Sequence, residues 1–137
     1  MKQNNEYLFV YGTLLDEQNK FTIYLKQNSN FYSKGRLKGK LYDLGEYPGA
    51  VLDEPSDGYI YGSIVRLINL DETLKYLDDY EGFGDDEEQP NLFLREIALV
   101  ETDNGLVDCW IYVYNLSVEG FWLIESGDYR TYKSTYK

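Results

Sequence analysis

Near its start the chain carries a compact run, Glu6-Tyr7-Leu8-Phe9-Val10-Tyr11, in which apolar and aromatic residues follow one another without alternation until Gly12-Thr13 breaks them. Such a run predicts a first, largely buried strand followed by a tight glycine loop. From about Gln18 to Lys26 the apolar positions Phe21, Ile23, Tyr24 and Leu25 lie among polar ones and predict a short helix, although their period is poor. Lys34 to Leu44 then alternates small or apolar residues with charged ones, as a strand with one solvated face does, and its glycines point to bending or close backbone approach. Gly45-Glu46-Tyr47-Pro48-Gly49 is turn chemistry leading into Ala50-Val51-Leu52, and a loop follows over Asp53 to Gly58. Tyr59 to Leu67 reads as a further strand, with Tyr59, Tyr61, Ser63, Val65 and Leu67 on one face by the period of two.

A change of period follows. Leu70, Leu74 and Leu77 mark the buried stripe of a helix running to about Tyr80, capped by Asn69 or Asp71, with Asp71 and Glu72 at its positive end. Gly82-Phe83-Gly84-Asp85-Asp86-Glu87-Glu88-Gln89-Pro90 mixes glycines, acids and a proline and predicts a mobile surface loop; the acids at 85–88 read as a solvated charge run, with a lid as the alternative. Leu92 to Glu101 and Leu106 to Asn115 are strand-like runs joined by Thr102-Asp103-Asn104-Gly105, whose Asn-Gly step is a strong hairpin signal. A last apolar piece, Gly120-Phe121-Trp122-Leu123-Ile124, precedes a polar end expected to fray. Many strands beside a few short helices give an α+β fold, and bent strands containing glycine favour a small, closed or half-closed β-barrel.

Composition narrows the chemistry. A chain of 137 residues fits a single domain, 1–137, that buries a real core without disulfides or metals. Its formal net charge of -11 argues against gripping phosphate backbones or anionic lipid, so neither nucleic acid nor membrane is an expected partner. No apolar run approaches a membrane span and the first five residues lack a signal-peptide profile, which makes a cytoplasmic location the default expectation. Fifteen tyrosines favour strands and supply flat walls with polar tips. Cys109 is the only cysteine, and its apolar setting Val107-Asp108-Cys109-Trp110-Ile111 reads as core rather than as a nucleophile. There is no histidine, which removes Ser-His-Asp and Cys-His catalysis and histidine-based metal sites together. Acid/base work must therefore fall to a carboxylate, tyrosine or lysine, and a carboxylate needs the smallest adjustment.

Two places could carry that chemistry. At Tyr11-Gly12-Thr13-Leu14 a buried strand ends in a turn whose successive backbone N–H groups could hold a substrate carboxylate. An ordinary tight turn has the same sequence, and spacing alone does not separate the two. In Leu77-Asp78-Asp79-Tyr80-Glu81-Gly82, Glu81 continues the stripe of Leu70, Leu74 and Leu77 and should point inward, whereas Asp78 and Asp79 fall off it and are expected to meet water. Burial and a helix C-terminus would both raise the pKa of Glu81. If the helix ends earlier, Glu81 is an exposed acid. Tyr42, Tyr47, Tyr59, Tyr61, Trp110, Tyr112 and Tyr114 could line a pocket or simply pack the sheet, and Arg95 could neutralise a carboxylate, organise a loop or form a structural ion pair.

Taken in order, Leu8-Phe9-Val10-Tyr11-Gly12-Thr13-Leu14, the stretch from Gly39 to Gly49, Leu77-Asp78-Asp79-Tyr80-Glu81-Gly82, Arg95 and Trp110-Ile111-Tyr112-Val113-Tyr114 resemble the γ-glutamylcyclotransferase-like superfamily, over nearly the whole chain. The likeness is to its short members, which include γ-glutamylamine cyclotransferase. The resemblance implies a small mixed β-barrel with flanking helices and a ligand cavity, substrate binding by Tyr11, Gly12, Thr13 and Leu14, and Glu81 as the catalytic glutamate. It further implies release of 5-oxoproline from a γ-glutamyl amine or amino acid, with neither metal nor organic cofactor. Phe93, where related sequences often carry tyrosine, and the acidic insert 85–88 depart from the pattern and leave the leaving group open. The alternative is a catalytically silent metabolite-binding module of the same fold.

Overall fold

The computed structural model describes residues 5–12, 20–45, 47–53 and 58–136. Its elements are β1 (Tyr7–Val10), α1 (Lys20–Gln27), β2 (Ser29–Asp43), β3 (Pro48–Leu52), β4 (Tyr59–Leu67), α2 (Leu70–Glu81), β5 (Phe93–Thr102), β6 (Gly105–Tyr114), β7 (Trp122–Leu123) and α3 (Tyr129–Tyr136). Five strands close a ring in the order β2, β4, β1, β6, β5, the last seam being the pair Arg36↔Glu101 between β2 and β5. β1 runs antiparallel to β4 but parallel to β6, so the barrel is mixed. β3 and β7 extend it along the second half of β2.

The ring explains why the first strand shows no alternation. Leu8 and Phe9 are each 2% exposed although they point to opposite faces. Phe9 packs inside the barrel with Ile60, Ile64, Cys109 and Ile111. Leu8 packs outside it with Val65, Leu74, Leu77 and Phe93. β4 behaves likewise: the period of two holds, but Ile60 and Ile64 fill the barrel while Val65 and Leu67 meet the helices, so both faces are buried. Cys109 lies in the barrel core, as its sequence setting suggested.

Helix α1 lies on α2 through two stacked ring pairs, Phe21–Tyr80 at 4.2 Å and Tyr24–Tyr76 at 3.7 Å between centroids. These contacts join α1 to the middle and last turns of α2.

Several expectations need revision. β2 starts at Ser29 rather than near Lys34, because Ser29 to Phe31 pair with β4 through a register shift while Phe31 and Tyr32 stay exposed and give no burial pattern. β2 changes partner at Gly39, where an added Cβ would sit 2.6 Å from the Val51 carbonyl oxygen. Asn69 occupies the N-cap position of α2 without a side-chain capping bond, since its left-handed backbone turns the amide elsewhere. The polar end forms α3, with Asp128 Oδ1 accepting from the Arg130 amide at 3.1 Å and Tyr129 buried in the barrel core. The segment after α2 is stitched rather than loose. Asn91 is buried, accepts from the Gly84 amide and donates to the Gly84 and Glu88 carbonyls, while Gln89 donates to Gly84 and Glu87. No helix among the described residues is long and apolar enough to cross a membrane.

Candidate active site

Tyr11 leaves the end of β1 and ties three strands together. Its hydroxyl donates to the Tyr112 carbonyl on β6 at 2.5 Å and accepts from the Ala50 amide on β3 at 3.3 Å. Burial pushes the phenol well above its ordinary range, and the nearby Glu81 carboxylate pushes it further. Tyr11 is therefore a fixed, neutral phenol at physiological pH. Gly12 follows where an added Cβ would stand 2.6 Å from Pro48 Cγ, so a side chain there would displace the start of β3. Thr13 and Leu14 lie outside the described residues.

Glu81 is the last residue of α2, and the helix ends on it for a local reason. Gly82 takes a left-handed conformation, φ 74°, and its amide caps the Asp78 and Asp79 carbonyls. The Phe83 amide reaches the Asp78 carbonyl at 2.9 Å, completing a Schellman turn. The continued stripe carries Glu81 inward beside Tyr11 and Tyr112, whose phenols both feel its charge. The residue is half-buried, and protein packs densely enough around its carboxyl that loss of hydration raises its pKa to about 7. A carboxyl so placed can accept and return a proton near neutrality.

Asp78 is turned largely away from water. Arg95 on β5 grips it with a two-point fork, Nε to Oδ1 at 2.7 Å and Nη2 to Oδ2 at 3.1 Å, and the two side chains are only 10% and 16% exposed. The Tyr112 hydroxyl donates to the same Oδ1 at 2.7 Å. Burial, followed by the Asp78 charge and that hydrogen bond, holds the Tyr112 phenol far above its ordinary range. Off the leucine stripe, Asp78 meets β5 and β6 rather than solvent, because the barrel wall curves around the helix end and supplies a cation there. Asp79 stays on the exposed side and pairs with Lys75 at 2.9 Å. Of the three open readings for Arg95, the structure shows the ion pair; its guanidinium also stacks on Trp110 at 4.3 Å.

The remaining aromatic candidates divide. Tyr114 meets Phe93 at 5.6 Å and Phe121 at 6.2 Å, and Phe93 meets Tyr47 at 6.1 Å, forming a ring cluster two residues along β6 from Tyr112. Tyr59 instead carries the Arg36 guanidinium over its ring at 4.1 Å. A surface depression lined by Lys34, Gly35, Arg36, Tyr61, Glu101, Thr102 and Asp103 shares no residue with the Glu81 site. Tyr42 pairs in register with Gly49 and Leu123 in the sheet extension. Among the described residues no cluster of three or more Cys, Asp or Glu side chains could hold a metal ion. The functional neighbours that sequence reasoning passed over are Asp78 and the Ala50 amide. An Asp three residues before Glu81 on a helix was the available signal for the first.

The arrangement of Tyr11, Gly12 and Glu81 around one end of a five-stranded mixed barrel now meets a family model described as γ-glutamyl cyclotransferase, AIG2-like, which matches residues 8–131. The chain belongs to that family. It is 35% identical over 129 residues to the γ-glutamylcyclotransferase family protein YtfP of Escherichia coli K12, covering 89% of this chain and 94% of that one. The solution structure of E. coli ytfP superposes with a TM-score of 0.67 at 30% identity, over 93% of this chain and 98% of the other. The crystal structure of Bacillus subtilis YkqA gives 0.71 at 31% identity, and there the chain covers 98% of itself but spans only 44% of the relative. The γ-L-glutamyl-butirosin B γ-glutamyl cyclotransferase of Niallia circulans is 34% identical over 109 residues, 79% of this chain and 66% of that protein.

Proposed function

We propose that this chain is a γ-glutamylcyclotransferase-type enzyme that releases 5-oxoproline from a γ-glutamyl amine or γ-glutamyl amino acid, with Glu81 as its general acid/base. The observation that carries the reading is the inward Glu81 carboxyl, raised to about 7 by burial beside Tyr11. The N. circulans relative, whose name states a γ-glutamyl-butirosin substrate, supports a γ-glutamyl donor.

In the reaction, Glu81 as carboxylate takes a proton from the substrate's α-ammonium, and the freed amine attacks the γ-carbonyl carbon of the same glutamyl arm. A C–N bond forms, closing the five-membered ring, and negative charge collects on the carbonyl oxygen. As the bond to the leaving nitrogen breaks, Glu81 returns the proton to that nitrogen; the departing amine takes up the second proton that the ring nitrogen sheds, so the lactam nitrogen ends neutral, the amine leaves as its ammonium ion and Glu81 ends as a carboxylate. Because the attack is intramolecular, much of the catalytic task is folding a flexible arm into an attacking pose. Tyr11 and the backbone around Gly12, Thr13 and Leu14 are assigned to substrate binding. Their N–H groups hold the α-carboxylate or the developing oxyanion. No step draws on a metal or an organic cofactor.

A panel of γ-glutamyl amino acids and γ-glutamylamines, assayed for 5-oxoproline, tests the reading. Turnover of one or more members supports it and names the leaving group. Thermal stabilisation by panel members without any 5-oxoproline would favour the silent binding module instead.

A further inference from the structure

We propose that Asp78, Arg95 and Tyr112 form a positioning clamp that fixes where Glu81 stands and keeps uncompensated charge away from it. The inference rests on the acid/base reading of Glu81 given above. Asp78 and Glu81 are three residues apart, close enough on a helix for their side chains to be neighbours. The Asp78 carboxylate is held at three points by two different strands, β5 through both donors of Arg95 and β6 through the Tyr112 hydroxyl. The same residue's backbone carbonyl receives the Gly82 and Phe83 amides that close the helix. One residue thus docks the last turn of α2 to the barrel and ends that turn, with Glu81 carried between.

The clamp is also electrostatic. Asp78 and Arg95 bring opposite charges near Glu81, and paired at 2.7 Å they present it with nearly none. Among the described residues, the other titratable groups shown to interact with Glu81 are Tyr11 from the end of β1 and Tyr112 from β6. β3 contributes Pro48 beside Gly12 and the Ala50 amide on Tyr11, neither of which carries a titratable side chain. Tyr129 of α3 borders Gly12. In the acidic stretch that follows the helix, Asp86 and Glu87 act on Lys75, on the exposed side of α2.

Breaking the pair from its two ends should then move Glu81 in opposite senses. In Asp78→Asn the Arg95 cation is uncompensated and favours the Glu81 carboxylate, so its titration midpoint falls. In Arg95→Met the Asp78 anion is uncompensated and the midpoint rises. A purely structural role would loosen the helix end in both variants, admit water and lower both midpoints alike. The midpoint is read by carbon NMR of protein labelled at its glutamate carboxyls, with the Glu81 signal assigned by its loss in Glu81→Gln. We expect opposite displacements on the order of one pH unit. Displacement in the same sense, or none in either variant, overturns the clamp. Should Arg95→Met not fold, the double variant Asp78→Asn/Arg95→Met is compared with Asp78→Asn alone. Return of the midpoint toward the wild-type value supports the clamp, and a midpoint as low as that of Asp78→Asn overturns it. The measurement needs no turnover, so an inactive substrate panel would sink the proposed reaction and leave this test standing.

Discussion

Asp78 and Glu81 stand one helical turn apart, yet among the described residues only Asp78 has a cation bound to it: Arg95 holds both its oxygens at 2.7 and 3.1 Å. Glu81, beside two phenols, is raised to about 7. The same helix end therefore carries one carboxyl that anchors it to the barrel through Arg95 and another whose environment is set by burial.

The anchoring role predicts a cost in stability. The Asp78 and Arg95 side chains are 16% and 10% exposed, and removing one partner of so sheltered a pair leaves the other charge uncompensated. Arg95→Ala should lose about 3 kcal/mol, read as a lowered denaturation midpoint in urea. A loss below about 0.5 kcal/mol, the scale of a solvent-exposed pair, would contradict the account.

Titration of Glu81 gives a signed pH dependence. Its folded pKa of about 7 lies above the ordinary glutamate value of 4.5, so between those values the native state binds the extra proton. The associated stability is fully present below about pH 4 and is lost as pH rises through 7, a change of about 3 kcal/mol. Glu81→Gln should remove that slope and be more stable than wild type at about pH 8. Chemical denaturation across the pH range checks both, and identical slopes in the two proteins would refute the burial of Glu81. Turnover depends on the carboxylate, so kcat/KM should rise through about pH 7.

Gly82 sits at φ 74° with its nearest obstacle, Leu92 Cβ, 3.8 Å from an added methyl, so a side chain meets backbone strain rather than a clash. Gly82→Ala should cost about 1 kcal/mol and lower kcat more than it raises KM, because the turn that orients Glu81 is disturbed while Tyr11 is not. Steady-state kinetics beside a thermal melt separate the two effects. Unchanged kcat would show that the turn does not set the position of Glu81.

Much of this was legible in the chain. The leucines at 70, 74 and 77 placed α2, Asn104-Gly105 placed the β5–β6 hairpin, and continuing the leucine stripe pointed Glu81 inward. Local periodicity suffices where one face of an element meets the core. It misled at Asp78, because leaving the stripe means solvent only when nothing packs on the adjacent face, and β5 and β6 do pack there. The end of the chain reads as polar because its apolar positions are all tyrosines, yet Tyr129, Tyr132 and Tyr136 recur at helical spacing and Asp128, two residues before Arg130, was a capping signal for α3. The stitching of the acidic loop by Asn91 depends on a side chain reaching seven residues back, which no local rule anticipates.

Cys109 is fully buried in the barrel, and burial, helped by the neighbouring Asp108 charge, pushes its thiol up to about 12. Alkylation by iodoacetamide at neutral pH should run at least about 100-fold slower in the native protein than in urea. Comparable rates would mean that the barrel opens readily or that the thiol is reactive.

The central claim is that Glu81 moves the proton in 5-oxoproline formation. Its most direct test is the rate of 5-oxoproline release from the best γ-glutamyl substrate by wild type and by Glu81→Gln, with folding of both verified by circular dichroism. The account expects a folded variant whose kcat falls by at least about 100-fold, since a positioned acid/base group contributes on that scale or above. A folded Glu81→Gln protein that retains wild-type turnover would contradict it.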